Sequence, residues 1–223
     1  MKLPIKDRAT AGRELARALQ GYAGRGDVVV LALPRGGVPV AYEIARHLGA
    51  DLDVLIVRKL GAPGQRELAV GAIASGGVRV LNDDIVAELG VSKADIEALT
   101  RDEMRELERR ERLYRGDRER ATIEGRCVIL VDDGIATGAT MRAGIAALRK
   151  MKPARIVVAV GVAPEDTVRI LEREADEVAC LATPVPFWAV GRWYGVFDQV
   201  GDDEVKDTLN AAWQQRHGAA PAE

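Results

Sequence analysis

The chain has 223 residues, 48% of them hydrophobic and 30% charged, and a formal net charge of −2. That length suits one elaborated domain with a substantial buried core. The near-balanced charge removes any overall electrostatic drive toward nucleic acid or an anionic membrane.

In chain order, residues 8–22 place Leu15, Leu19 and Tyr22 at helical spacing, with Asp7 or Thr10 as the cap. Residues 28–33 are a short apolar strand run, and 38–48 a helix closed by Gly49. Residues 54–57 read as a second strand with Arg58 and Lys59 at its end, followed by a Gly/Pro-rich loop over 60–67. Residues 68–74 and 78–81 flank Ser-Gly-Gly, a hairpin pattern. The segment 83–120 is highly charged and helical in pattern. Ser92 and Asp95 resemble a capping box there, and Ile96, Leu99, Met104, Leu107 and Tyr114 form an apolar stripe. It reads as an insertion: solvated decoration, a cap, or an oligomer contact through the stripe. Strands return at 127–131, 156–162 and 178–182, helices at 141–150, 165–174 and 203–217, and 218–223 reads as a disordered tail.

This alternation predicts an α/β fold, a mainly parallel sheet flanked by helices, in a single domain over 1–223. No apolar run approaches the roughly 20 residues of a membrane span, and the N-terminus has no signal-peptide pattern. Cys127 and Cys180, the two cysteines, each lie in an apolar run and read as buried small hydrophobes in a reducing cytoplasm.

The most informative stretch is 128–140, Val-Ile-Leu-Val-Asp-Asp-Gly-Ile-Ala-Thr-Gly-Ala-Thr. A buried strand ends in Asp132 and Asp133, and a turn of small residues then opens a helix. In open α/β sheets ligands bind at such carboxyl-end loops. Small residues let backbone N–H groups approach a phosphate, aided by the helix dipole. The two carboxylates would repel that phosphate and suit hydroxyls or a hydrated cation instead. Leu33-Pro34-Arg35-Gly36-Gly37, after the first core strand, again combines bare backbone with a guanidinium suited to phosphate. No P-loop or dinucleotide fingerprint is present. A serine hydrolase has only Ser75, Ser92, His47 and His217 to draw on, and neither serine lies in a Gly-x-Ser-x-Gly context. Metal-binding His or Cys clusters are missing too.

The 128–140 segment resembles the 5-phosphoribosyl-1-pyrophosphate (PRPP) signature of type I phosphoribosyltransferases. The resemblance implies a 5-phosphate site at Ala136, Thr137, Gly138, Ala139 and Thr140, with the ribose hydroxyls on Asp132 and Asp133. It implies a pyrophosphate loop at Arg35, Gly36 and Gly37, often with an unusual peptide conformation, joined by Arg58, Lys59 and Arg66. The 60–67 loop would then be the mobile loop that closes over the site. Mg²⁺ would be held mainly through PRPP and water, with Asp132 and Asp133 acting indirectly. Five of the nine aromatic residues lie between 187 and 197. They make 183–200 the candidate hood, with Phe187, Trp188, Trp193 and Tyr194 as stacking contacts for an acceptor base, or else a compact minicore.

The implied reaction is ribosyl transfer from PRPP to a nitrogenous, nucleobase-like acceptor with release of pyrophosphate. Arg35, Lys59, Asp132 and Asp133 are its main catalytic groups, and because family members are often dimers the resemblance also allows a homodimer. The 6-oxopurine branch usually carries an acid where this chain has Ala136, and often a Lys where it has Ala139, so a hypoxanthine–guanine enzyme is disfavoured. The rival readings are a non-catalytic PRPP- or nucleotide-binding regulator, and an accessory partner that docks through 83–120.

Overall fold

The computed structural model describes residues 2–218, apart from the side chains of Arg66, Glu67 and His217. Its strands are β1 (Val28–Ala32), β2 (Asp51–Val54), β3 (Val57–Ala62), β4 (Gln65–Ala74), β5 (Val78–Leu81), β6 (Cys127–Gly134), β7 (Arg155–Val162) and β8 (Glu177–Ala182). Its α-helices are α1 (Arg8–Ala18), α2 (Gly37–Leu48), α3 (Asp83–Glu88), α4 (Lys93–Arg115), α5 (Ala139–Lys150), α6 (Glu165–Glu174) and α7 (Asp202–His217). Five strands form a parallel sheet in the order β2-β1-β6-β7-β8, and β3-β4-β5 form a separate antiparallel sheet.

β1 is buried at every position, as expected for a strand covered on both faces. Alternation along the strands divides the core. Val28, Val30, Ile129 and Val131 pack with α1, α2, α4 and α7, while Val29, Leu31, Val128 and Leu130 pack with α5 and α6. The termini follow local chemistry. Asp7 accepts from the Thr10 N–H at 2.7 Å to cap α1, Gly49 closes α2 in the left-handed region at φ 66°, and Ser92 accepts from the Asp95 N–H to cap α4.

Two expectations need correction, and the charged insertion takes a definite form. The apolar run 54–57 is not one strand: β2 ends at Val54, the chain crosses between sheets through buried Leu55 and Ile56, and β3 begins at Val57. Residues 60–67 are not an open loop but the turn end of the β3–β4 hairpin, turning at Pro63 and Gly64, whose φ is 75°. Finally, the charged insertion is welded to the body. Leu107 and Tyr114 belong to the main core, Arg115 pairs with Asp53 at 3.1 Å with both side chains nearly buried, and Arg118 donates to the Leu209 carbonyl. The apolar stripe is therefore consumed within the chain: Ile96, Leu107 and Tyr114 are buried, and Leu99 and Met104 pack on the same core.

The Tyr114 hydroxyl donates to Asp202 at 2.6 Å, and burial with that bond holds it protonated up to about 12. Tyr114→Phe is expected to cost about 1 kcal/mol, the usual worth of one hydrogen bond, in a urea-unfolding measurement. An unchanged midpoint would remove Tyr114 as a link between α4 and α7. The tail beyond residue 218 lies outside the described residues.

Candidate active site

From β1 the chain runs to β2 on one side, and later returns to β6 on the other. The carboxyl ends of β1 and β6 therefore lie side by side with their loops diverging, the switch point at which open α/β sheets hold ligands. Both glycine-bearing segments singled out in the sequence fall here. The Leu33 N–H donates to the Val131 carbonyl at 2.9 Å, tying the 33–37 loop to β6. The Pro34–Arg35 peptide is cis. Gly36 and Gly138 precede α2 and α5 and offer no side-chain cap; in α2 the Gly37 and Val38 N–H groups donate to the Leu33 and Arg35 carbonyls, both at 3.1 Å. Asp132 and residues 134–141 line a cavity of about 130 Å³. Thr167 of α6 braces this loop by donating to the Ala136 carbonyl at 3.1 Å.

Asp133 is buried, and its Oδ2 accepts from Arg8 Nε at 2.7 Å. Gly36 packs directly on that carboxylate, where any Cβ would overlap Oδ2, and Gly37 packs on the β6 backbone. The Asp133 carbonyl accepts from the Tyr194 hydroxyl at 2.6 Å. Burial raises Asp132 well above the usual carboxylate range, and the neighbouring Asp133 charge adds to it. Burial also raises Asp133, opposed by Arg8.

For Asp132 the linkage sign is clear. Its folded value lies above its unfolded one, so its contribution to stability is full below the ordinary carboxylate range and is lost as pH rises through the raised value. Asp132→Asn should therefore stabilise the protein most at alkaline pH, by about 2–4 °C in melting temperature if the relief is near 1 kcal/mol. Thermal unfolding at pH 5 and pH 8 checks this, and a gain larger at pH 5 would contradict it.

The remaining expected residues are only partly brought together. Arg35 lies in the loop, with its guanidinium 3.8 Å from Asp202 of α7. Arg58 and Lys59 sit at the start of β3 in the second sheet, not at the carboxyl end of a parallel strand. Successive strand residues point opposite ways. Arg58 is paired with Glu103 of α4 at 2.6 Å, while Lys59 lines a groove of about 700 Å³ that also contains Ala139 and Arg142 of α5. The Arg66 side chain lies outside the described residues.

The aromatic segment is largely a minicore rather than an open stacking surface. Tyr194 is buried with Ile5 and Val162, and Phe187, Trp193 and Phe197 pack against that cluster. Burial pushes the Tyr194 hydroxyl far above the usual phenol range. Trp188 alone of the four proposed rings is open to solvent, at 72% exposure.

No residue pattern signalled the N-terminal contribution. Ile5 exchanges backbone hydrogen bonds with Trp193 and Gly195, both at 2.7 Å, and α1 delivers Arg8 to Asp133. Of the residues a hydrolase could draw on, Ser75 Oγ accepts from the Ile56 N–H, Ser92 caps α4 and His47 pairs with Gln20, while the His217 side chain lies outside the described residues.

Paired acids beside a small-residue helix start, at the switch point of a β2-β1-β6-β7-β8 sheet, define a type I phosphoribosyltransferase-like fold. The chain belongs to the phosphoribosyl transferase domain family, which it matches over residues 3–192. It is 50% identical over 212 residues to a Mycobacterium tuberculosis protein named as a phosphoribosyl transferase, Rv0571c in strain H37Rv and MT0597 in strain CDC 1551. That alignment covers 95% of this chain but 47% of the relative, so the chain spans about half the length of that protein. The crystal structure of TT1426 from Thermus thermophilus is 43% identical with a TM-score of 0.83, covering 92% of this chain and 97% of its own. Among the described residues no helix is long and apolar enough to cross a membrane.

Proposed function

We propose that the protein is an enzyme that transfers ribose 5-phosphate from PRPP to a nitrogenous, nucleobase-like acceptor and releases pyrophosphate. The observation that carries this reading is the adjacency of the two loops at the carboxyl ends of β1 and β6. The 136–140 loop and Asp132 line one cavity, Gly36 packs on the Asp133 carboxylate, and Gly37 packs on the backbone of Val131 and Asp132.

In this reading the amides at the start of α5 receive the 5-phosphate, while Asp132 and Asp133 receive the ribose hydroxyls. Arg35 and the Gly36 amide stabilise the charge that develops on the leaving pyrophosphate, the Gly37 N–H being held by the Leu33 carbonyl at 3.1 Å. Lys59 is the available member of its pair for that task, since Arg58 is held by Glu103. Mg²⁺, when bound with PRPP, would neutralise part of the pyrophosphate charge. Carboxylate oxygens at Asp132 and Asp133 are hard donors suited to that ion. Among the described residues there is no cluster of three or more His, Cys, Asp or Glu able to cage a metal, and Asp133 Oδ2 is taken by Arg8. The ion is thus expected to be carried in with PRPP and water. Two free cysteines are in keeping with a reducing cytoplasm.

The test is pyrophosphate release from PRPP and Mg²⁺, screened against purines, pyrimidines and small amines. Release dependent on one acceptor class supports a transferase. PRPP binding with no release across the panel supports the regulator, and no binding at all removes both.

A further inference from the structure

Arg8 is the first residue of α1, where the helix dipole disfavours a cation. Its side chain is only 13% exposed, so a long, flexible group is ordered and largely dehydrated. A buried ion pair is a weak source of stability. Three contacts nevertheless fix it: Nε on Asp133 Oδ2 at 2.7 Å, Nη1 on the Asp198 carbonyl at 2.7 Å, and the guanidinium 3.9 Å from the centre of the Phe197 ring. The same Asp133 Oδ2 lies against the backbone of Gly36, and Tyr194 holds the Asp133 carbonyl. The carboxylate is therefore clamped between the N-terminal helix and the pyrophosphate loop.

We propose that Arg8 is a positioning residue for the sugar site: it aims the Asp133 carboxylate and supplies the fixed countercharge that a buried acid beside a second carboxylate requires. This rests on the reading of the crevice as a PRPP site. Arg8 acts through Asp133, without itself meeting the substrate. The segment carrying Arg8 is zipped to the aromatic segment by the Ile5 backbone bonds, and that aromatic segment supplies the Asp198 carbonyl and the Phe197 ring that hold the guanidinium. The hood thus sets the geometry of the ribose acids, beyond any part it has in holding an acceptor.

The experiment is calorimetric binding of PRPP with Mg²⁺ to the full chain. Arg8→Gln, which keeps a donor and loses the charge, is expected to weaken binding about tenfold, the order of one charge-assisted hydrogen bond. Arg8→Lys, which restores the charge but not the planar fork on Phe197, should recover part of that loss and still bind about threefold more weakly than wild type. In an Asp133→Asn background, Arg8→Gln should add nothing further, because a residue acting through Asp133 is silent once that carboxylate is gone. Equal affinity of Arg8→Gln and wild type would overturn the proposal while leaving the PRPP site standing. So would a full additional loss in the Asp133→Asn background, or failure of Arg8→Lys to recover. Should Arg8→Gln not fold, the pair Arg8→Lys and Arg8→Lys/Asp133→Asn gives the same comparison. Wild-type protein that does not bind PRPP overturns both this inference and the reading beneath it.

Discussion

Protein carrying Asp132→Asn together with Asp133→Asn is expected to bind PRPP in the presence of magnesium about 100-fold more weakly than wild type, or worse. Each hydrogen bond between a ribose hydroxyl and an ionised acid is worth about 1.5–3 kcal/mol, and each 1.4 kcal/mol is a factor of ten. Asparagine keeps the shape but loses the charge that makes these bonds strong. The double substitution should also leave the fold intact. Asp132 is raised by burial and by its neighbour, so its ionised form costs native stability that the amide restores. Asp133→Asn takes the countercharge from Arg8, but an amide oxygen can still accept from Nε. A melting temperature near wild type with lost affinity, measured on the same preparation, is the expected pair of results. Unchanged affinity would remove the acids from the sugar site and with them the proposed reaction.

The part of the fold governed by local chemistry was legible in the chain. Asp7, Gly49 and Ser92 mark helix ends because a side-chain oxygen or a missing Cβ solves a backbone problem within a few residues. The Asp132-Asp133 loop was legible for the same reason, since strand, acids and helix start are contiguous. The boundary at 54–57 was not. Leu55 and Ile56 are buried between two sheets, so the apolar run continues through the crossing without a turn signal. Gly61, Pro63 and Gly64 resembled a loop, yet Pro63 and Gly64 make the tight turn and Gly61 sits at a register irregularity inside the hairpin. Arg8 is 125 positions from Asp133, and nothing in the residue types links them. The aromatic cluster could be noticed but not assigned. A ring suited to stacking on a ligand is equally suited to a minicore, and the deciding partner is the distant segment at Ile5.

The two adjacent glycines of the pyrophosphate loop separate stability from function. Gly36 has φ −58° and ψ −31°, ordinary helical values, so alanine carries no backbone penalty there. Its added methyl would overlap Asp133 Oδ2, the end of a side chain that can give way only by leaving Arg8. Gly36→Ala is therefore expected to displace the acid rather than the strand. PRPP affinity should fall about 30-fold, a loss near 2 kcal/mol, while the melting temperature changes little. A Cβ on Gly37 would instead meet the Val131 carbonyl at 2.6 Å and the Asp132 Cα at 3.0 Å, atoms of a central strand that cannot step aside. Gly37→Ala should cost about 1–3 kcal/mol of stability, the usual penalty of overpacking, and lower the melting temperature by several degrees. Affinity and unfolding measured side by side decide the matter. If Gly36→Ala binds PRPP as wild type does, the Asp133 carboxylate has room to move without loss, and the clamp around it is not what sets the sugar site.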